Sequence, residues 1–109
     1  MSGKYNITAE QGATFKLNFT VATDGTPWNL STYTGRMQVR QSYASTTTLI
    51  NVTSMTMTSQ GKVSVVVDAT TMAAVPAGRW VYDLEIQSTG GEVTRLLEGK
   101  FVVSPEVTH

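Results

Sequence analysis

The side chains best suited to chemistry are acids and arginines that lie between residues 79 and 98. This group comprises Asp83, Glu85, Glu92, Glu98, Arg79 and Arg95. Two neighbouring carboxylates can act as general acid and base in glycoside hydrolysis, if one is desolvated enough to keep its proton near neutral pH. Such a pair is the one route to catalysis that these residues offer.

Strand alternation argues against that route. Asp83 and Glu85 are two residues apart in "RWVYDLEI", so a β-strand would place both on the same face. Trp80, Tyr82 and Leu84 alternate with them and would occupy the opposite, apolar face. A Gly-Gly turn follows, and the next strand supplies acids and bases as neighbours. The pattern therefore predicts cross-strand ion pairs on the solvated face of a hairpin, which is an ordinary arrangement in sheets.

Other catalytic and metal-binding chemistry lacks the residues that it needs. The single histidine, His109, ends the sequence, and there is no cysteine. Histidine-dependent nucleophilic catalysis and thiolate chemistry are therefore not expected, and no calcium-binding or phosphate-binding loop motif is present. We predict a non-enzymatic protein with no catalytic residue, no cofactor and no metal site.

Aromatic and methionine side chains are the remaining candidates for contact with a partner. Trp28, Trp80, Tyr33 and Tyr43 could form a platform that stacks against sugars, but the large area that aromatic rings bury favours packing in the core or in loops. Methionine lines adaptable interfaces, and aromatic residues are enriched at interface hot spots. The candidate interface residues are Tyr5, Ile7, Trp28, Tyr33, Tyr43, Met55 and Met57.

Composition narrows the classes of partner. The 109 residues carry eight basic and eight acidic side chains, so the formal net charge is zero. Without excess positive charge there is no general attraction to phosphate backbones or anionic lipids, and we do not expect a nucleic-acid partner. No apolar run is long enough to span a membrane, and the start "MSGKYNITAEQG" has no apolar signal region. We expect a protein made in the cytoplasm with no membrane contact.

Period-two patterns dominate the elements that must position these residues. The stretches "ATFKLNFTVA", "GRMQVRQ", "VSVVVDA" and "RWVYDLEI" alternate apolar and polar side chains, as half-buried strands do. About seven to nine short strands with regular turn signals predict an all-β, antiparallel β-sandwich of immunoglobulin-like type, formed by residues 1–109 as one domain. A small antiparallel barrel is the alternative. Residues 1–10 are predicted to form an N-terminal arm or an edge strand.

One short helical turn is predicted near residues 69–75, and it leads into a recognisable corner. Asp68 or Thr70 could cap the turn, and Pro76 and Gly78 would end it. In immunoglobulin-like sandwiches, a strand that follows such a turn carries a tyrosine whose hydroxyl bonds a backbone carbonyl a few residues upstream. The stretch "VPAGRW" resembles that corner with Trp80 in place of the tyrosine, and a tryptophan can donate the same kind of bond.

Three segments together resemble a known family. "YNITAEQGATFKLNFTV", "WNLSTYTGRMQVRQS" and "VPAGRWVYDLEIQSTGGEVTRLLEGKFVVSPEVT" are similar to small virion proteins of tailed bacteriophages. Those proteins have β-sandwich domains that are immunoglobulin-like or like the N-terminal domain of a baseplate upper protein. The sequence departs from the family pattern at Asn29, Val75 and Trp80. It follows the pattern at Leu30, Tyr33, Gly35, Arg36, Gln38, Arg40, Pro76, Ala77, Gly78, Tyr82, Asp83, Leu84, Glu85, Arg95, Leu96, Glu98 and Gly99.

The resemblance implies a non-enzymatic structural component of a phage virion. The leading expectation is a tail, baseplate or fibre-attachment adaptor whose copies contact one another and other virion proteins. A capsid decoration protein is the alternative, and a carbohydrate-binding β-sandwich that uses Trp28 is the second alternative.

Overall fold

The computed structural model describes residues 3–105, which form eleven strands and one short helix. Strands and helix follow the chain as β1 (Gly3–Lys4), β2 (Ile7–Glu10), β3 (Phe15–Thr20), β4 (Ala22–Thr23), β5 (Thr26–Pro27), β6 (Thr34–Arg40), β7 (Thr48–Val52), β8 (Thr56–Met57), β9 (Lys62–Val67), α1 (Ala69–Ala73), β10 (Gly78–Gln87) and β11 (Val93–Ser104). The prediction of an all-β protein with one short helical turn is confirmed.

The strands form two main sheets and a small ribbon. The larger sheet has six strands in the order β1–β11–β10–β6–β7, and β2 also pairs with β11. The smaller sheet has the order β3–β9–β8, and β4 pairs with β5 through a turn at Asp24 and Gly25. Two open sheets of this kind are a sandwich and not the closed barrel that the sequence left as an alternative.

The core lies between the two sheets, because the inward side chains of both meet there. An edge-to-face contact between the rings of Phe15 on β3 and Phe101 on β11, with centroids 5.3 Å apart, joins one sheet to the other. The buried cluster consists of Ile7, Ala9, Phe15, Leu30, Met37, Val39, Ile50, Val63, Val65, Val67, Met72, Val75, Tyr82, Leu84, Ile86, Phe101 and Val103. The predicted period-two faces supply most of these residues.

The helical turn and the corner have the predicted local contacts. A carboxylate oxygen of Asp68 accepts a hydrogen bond from the Thr71 backbone N–H at 2.8 Å, so Asp68 caps α1 and Thr71 lowers the pKa of that carboxyl. The indole Nε1 of Trp80 donates to the carbonyl oxygen of Pro76 at 2.9 Å. Gly78 lies under the Trp80 ring, because a Cβ added at Gly78 would come within 2.8 Å of it.

The N-terminal strands differ from the rest of the sheet in their direction. Both β1 and β2 run parallel to β11, with Gly3 opposite Leu97 and Ile7 opposite Phe101. The sequence predicted an antiparallel sandwich, and the other pairs are antiparallel. Strand alternation reports which face a side chain occupies but not the direction of the neighbouring strand. Residues 3–10 therefore form one edge of the larger sheet.

Candidate functional site

The acids of the last hairpin lie on the solvent face of the larger sheet and pair with arginines. Two nitrogens of the Arg36 guanidinium contact the same oxygen of Glu85, at 2.8 and 2.9 Å. Arg95 lies 3.7 Å from carboxylate oxygens of both Asp83 and Glu85, and 3.4 Å from Glu98. The prediction of cross-strand ion pairs on a solvated face is confirmed. Glu92 and Arg79 are exposed and lie outside this cluster.

The pKa of Asp83 is raised above its ordinary value of 3.8, mainly by partial burial and next by the charge of Glu85. Arg95 and Arg40 oppose that shift. Asp83 also stands directly opposite Glu98 in the β10–β11 register. Because like charges across two strands destabilise a sheet, the Arg95 side chain lets these carboxylates share one face. These ion pairs stabilise the hairpin, and this structural role is sufficient to explain the charged residues.

A shallow groove of about 430 Å³ crosses this outer face. Its lining consists of Arg36, Gln38, Arg40, Ser42, Tyr43, Val81, Tyr82, Asp83 and Glu85. The guanidinium of Arg40 donates to the carbonyl oxygen of Ser45 at 2.6 Å and to Oε1 of Gln38 at 2.8 Å. Arg40 therefore ties the loop after β6 to the strand and holds that loop, with Tyr43, at the rim of the groove.

The candidate interface residues do not form one patch. Tyr5 and Tyr43 are exposed, at 54% and 70%. Met55 and Met57 are half-buried and pack against the core. Ile7 is 5% exposed and belongs to the core, so the prediction that it is an interface residue is wrong for the folded chain. The reason is that β2 alternates as an edge strand and directs Ile7 inward.

Two aromatic candidates, Trp28 and Tyr33, contact each other, with ring centroids 6.4 Å apart at an angle of 46°. The indole Nε1 of Trp28 donates to the hydroxyl of Thr23 at 2.9 Å, and both rings are half-buried. Trp80 is engaged at the corner, and Tyr43 lies at the groove. The four aromatics are thus divided among three places and do not build a common platform for a sugar.

A feature that strand alternation missed is the uncharged segment, residues 41–61. Between Arg40 and Lys62 the chain has no charged residue and no proline. The uncharged segment contains Tyr43, β7 and β8. A search for gaps in the charge pattern would have found it in the sequence.

The uncharged segment supplies the open edge of the larger sheet. Strand β7 is the last strand of that sheet, and within residues 3–105 no backbone hydrogen bond joins it to an element other than β6. Natural edge strands are usually protected by lysine, by proline, by a β-bulge or by a covering segment. Strand β7 has such an irregularity, because Leu49 has no partner in β6. The strands of the opposite edge, β1 and β2, carry the exposed Lys4 and Glu10, and the β3 edge of the smaller sheet carries the exposed Lys16. Strand β8 is only two residues long.

Comparison with models of known protein families and with curated proteins gives no match to this chain. Within residues 3–105, no helix is long and apolar enough to cross a membrane. In the same part of the chain, no group of three or more histidine, aspartate or glutamate side chains is placed to hold a metal ion.

Proposed function

We propose that the protein is a non-enzymatic structural component of a bacteriophage virion, in the tail, the baseplate or a fibre attachment. Its copies assemble there through protein–protein contacts. The observation that carries this proposal is the uncharged segment, which presents an edge strand and an exposed tyrosine without any charged residue.

The chemistry of the uncharged segment suits a contact surface. The centres of protein interfaces are depleted in charged residues and enriched in tyrosine and methionine. The segment carries Tyr43, Met55 and Met57, with Tyr43 70% exposed. The arginines and acids beside it are engaged with one another on the outer face, so they add little net charge to this region. Shape and main-chain pairing would therefore dominate its contacts.

The family resemblance supports the same class of protein. The residues that match the family pattern support the fold and do not form a catalytic site. The matching residues include Gly78 and Gly99, which allow close packing, and Asp83, Glu85 and Arg95, which pair across strands. Residues 43–74 lie outside the three matching segments, and most of the uncharged segment falls there. We expect this division if the family shares the β-sandwich and each protein has its own contact residues outside the shared segments.

The proposal is tested by locating the chain in purified particles. Virions of the phage that encodes it would be separated into head and tail fractions, and the chain would be quantified in each by mass spectrometry. We expect it in the tail fraction at a fixed number of copies per particle, because closed assemblies follow rotational symmetry. A non-structural protein from the same lysate sets the level of carry-over.

Two other outcomes would contradict the proposal, in whole or in part. Recovery of the chain with the heads would overturn the tail assignment and favour the capsid decoration alternative. A level no higher than the carry-over control in both fractions would overturn the virion proposal as a whole.

A further inference from the structure

We propose that the outer face of the larger sheet binds a neutral oligosaccharide, with the ring of Tyr43 at the centre of the site. The site consists of two grooves that meet at Tyr43, and neither groove includes Trp28 or Tyr33. Strands β7 and β8 also lie outside both grooves, so sugar binding leaves them available for protein contacts. The sugar site goes beyond the virion role and does not depend on it.

The two grooves lie side by side across the strands. The first, of about 430 Å³, is lined by β6, β10 and the loop after β6. The second, of about 330 Å³, is lined by Tyr43 together with Lys4, Asn6, Glu98, Gly99 and Lys100. The linings therefore include four neighbouring strands, β6, β10, β11 and β1. At a strand spacing of about 4.8 Å they extend over about 14 Å, so a chain of sugar units fits this face better than a single ring.

Hydrogen bonds of the loop after β6 hold the backbone around Tyr43. The Arg40 guanidinium donates to the carbonyl oxygen of Ser45 at 2.6 Å, and the backbone N–H of Ser45 donates to the carbonyl oxygen of Ser42 at 3.1 Å. The Tyr43 ring is nevertheless 70% exposed. An aromatic ring on a loop that is already ordered loses little conformational entropy when it binds. Tyr43 is therefore available to stack on the apolar C–H face of a sugar ring.

Polar side chains in the two grooves retain hydrogen-bonding capacity for sugar hydroxyls. Arg40 uses two of its five N–H donors in bonds within residues 3–105. Asp83 lies 3.7 Å from Arg95, beyond hydrogen-bond distance, so its carboxylate oxygens keep acceptor sites. The ammonium group of Lys100 has no ion pair or hydrogen bond in that part of the chain. Because a hydroxyl both donates and accepts, it can bind this mixture of donors and acceptors.

The same face is unsuited to other classes of ligand. The carboxylates of Asp83, Glu85 and Glu98 line the grooves and would repel the phosphates of a nucleic acid. The centres of protein interfaces are depleted in lysine, aspartate and glutamate, and β10 and β11 are paired on both sides, so they offer no backbone edge to a peptide. Apolar small molecules need enclosed and mostly apolar pockets. A ligand with many hydroxyl groups and an apolar ring face is the class that fits.

The test uses three neutral hexasaccharides, maltohexaose, cellohexaose and chitohexaose, as probes of the full chain. Each would be titrated into the isotope-labelled protein, and the amide signals would be followed by two-dimensional NMR. At least one probe should shift the signals of the loop after β6, of Asp83 and of Lys100. It should also bind more tightly than its monosaccharide, because the linings of the two grooves include four strands.

Substitutions of two exposed tyrosines separate this site from the rest of the surface. Tyr43→Ala should weaken binding at least about tenfold through loss of the stacking ring, whereas Tyr43→Phe keeps the ring and should bind like wild type. Tyr5→Ala is the matched control, because Tyr5 is 54% exposed, lies outside both groove linings and bonds to the sheet through its backbone. Asp83→Asn keeps the shape of that side chain but is a weaker acceptor, so it should weaken binding about threefold.

Four results would each overturn the sugar site. These are no binding of any of the three hexasaccharides, signal shifts centred on Trp28 and Tyr33, equal losses for Tyr43→Ala and Tyr5→Ala, and tighter binding of a thymidine hexanucleotide to the same face. None of them bears on the virion role, which is tested separately by the head and tail fractions.

Discussion

The two edges of the six-stranded sheet differ in their charge and in how they are anchored to the core. At the β11 edge, residues 3–10 of the same chain add β1 and β2, and Ile7 and Ala9 enter the core. At the β7 edge, nothing in the described part of the chain is added, and the flanking sequence is free of charge and proline. The comparison teaches that one edge is built by charged N-terminal strands anchored in the core, while the other ends in an uncharged strand.

Specific contacts hold the N-terminal strands β1 and β2 against the rest of the sheet. The Tyr82 hydroxyl donates to the carbonyl oxygen of Tyr5 at 2.5 Å, and the Tyr5 N–H donates to the carbonyl oxygen of Glu98 at 2.9 Å. The backbone N–H of Lys100 donates to the Asn6 side chain at 3.1 Å. By contrast, within residues 3–105 the side chains of β7 make one hydrogen bond, in which the Gln38 amide donates to the Asn51 side chain at 3.3 Å. Substitutions at the N-terminal edge should therefore cost more folding stability.

The largest difference is expected from apolar truncation. Ile7→Ala on β2 removes a buried side chain and leaves a cavity, so it should lower the free energy of unfolding by about 3 kcal/mol. Val52→Ala on β7, where the side chain is half-buried, should cost about 1 kcal/mol. Urea unfolding of both variants measures the difference. Equal losses would show that the two edges contribute alike to folding.

A smaller effect is expected from crowding at the point where the arm crosses β11. A Cβ added at Gly99 would lie 2.5 Å from the carbonyl oxygen of Tyr5, which belongs to the backbone and cannot rotate away. Gly99→Ala should therefore displace the arm and cost about 1–3 kcal/mol. Gly90→Ala is the control, because its nearest neighbour is 3.8 Å away at Ser88. Hydrogen exchange should show lost protection in residues 5–10 for Gly99→Ala alone, and unchanged protection would contradict the close approach.

Removal of one hydroxyl should have a smaller effect still. Tyr82→Phe leaves the ring in the core but deprives the Tyr5 carbonyl of its donor, which should cost about 1–2 kcal/mol. Tyr33→Phe is a suitable control, because its hydroxyl has no hydrogen bond to another residue of the described range 3–105 and its ring is half-buried. Thermal unfolding of the two variants side by side measures the difference, and a loss no larger for Tyr82→Phe than for the control would contradict a role of this bond.

The same hydroxyl should make stability depend on alkaline pH. Burial, and after it the neighbouring Tyr5, raises the pKa of Tyr82 from 10.0 to about 12. Because the unfolded phenol ionises from about pH 10 while the folded one keeps its proton, the free energy of unfolding falls as pH rises from 10 towards 12. Tyr82→Phe should lack that part of the decline. Unfolding midpoints at pH 8 and pH 11 for both proteins measure it, and parallel declines would contradict the raised pKa.

The smallest loss of stability is expected from substitution of two exposed asparagines. Asn6→Ala frees the backbone N–H of Lys100 at the N-terminal edge and should cost about 0.5–1 kcal/mol. Asn51→Ala at the open edge removes only an exposed side-chain pair and should lie within about 0.5 kcal/mol of wild type. Chemical unfolding with closely spaced denaturant concentrations can resolve the two. A larger loss for Asn51→Ala would reverse the comparison.

Much of the fold could be predicted because period two reports directly on burial. Alternation placed Met37 and Val39 inward on β6, and it placed Leu84 and Ile86 inward on β10. The capping role of Asp68 also followed from local chemistry. These features depend on residues that are close in sequence, which is where such reasoning is strongest.

The arrangement of the edges could not be predicted in the same way. Parallel pairing of β2 with β11 joins residues that are far apart in sequence, so no local pattern encodes it. Ile7 therefore looked available for contact although it fills the core. The β10–β11 register also shifts between Leu84 and Glu85, and no turn or glycine signal marks that place. In the sequence, the β7 edge is visible only as a segment without charged residues. That this segment forms an edge of the sheet follows only from the order of the strands.

The parallel pairing of β2 with β11 has a mechanical consequence. The chain enters this pairing at Gly3, opposite Leu97, and leaves it at Ser104, opposite Glu10, so the chain extends in opposite directions along β11 at these two points. A tension applied between these points pulls β2 and β11 in opposite directions along their own axes. Their hydrogen bonds then bear the load together in shear and do not open one after another. The parallel pair of β2 and β11 thus resists stretching along the direction of its strands.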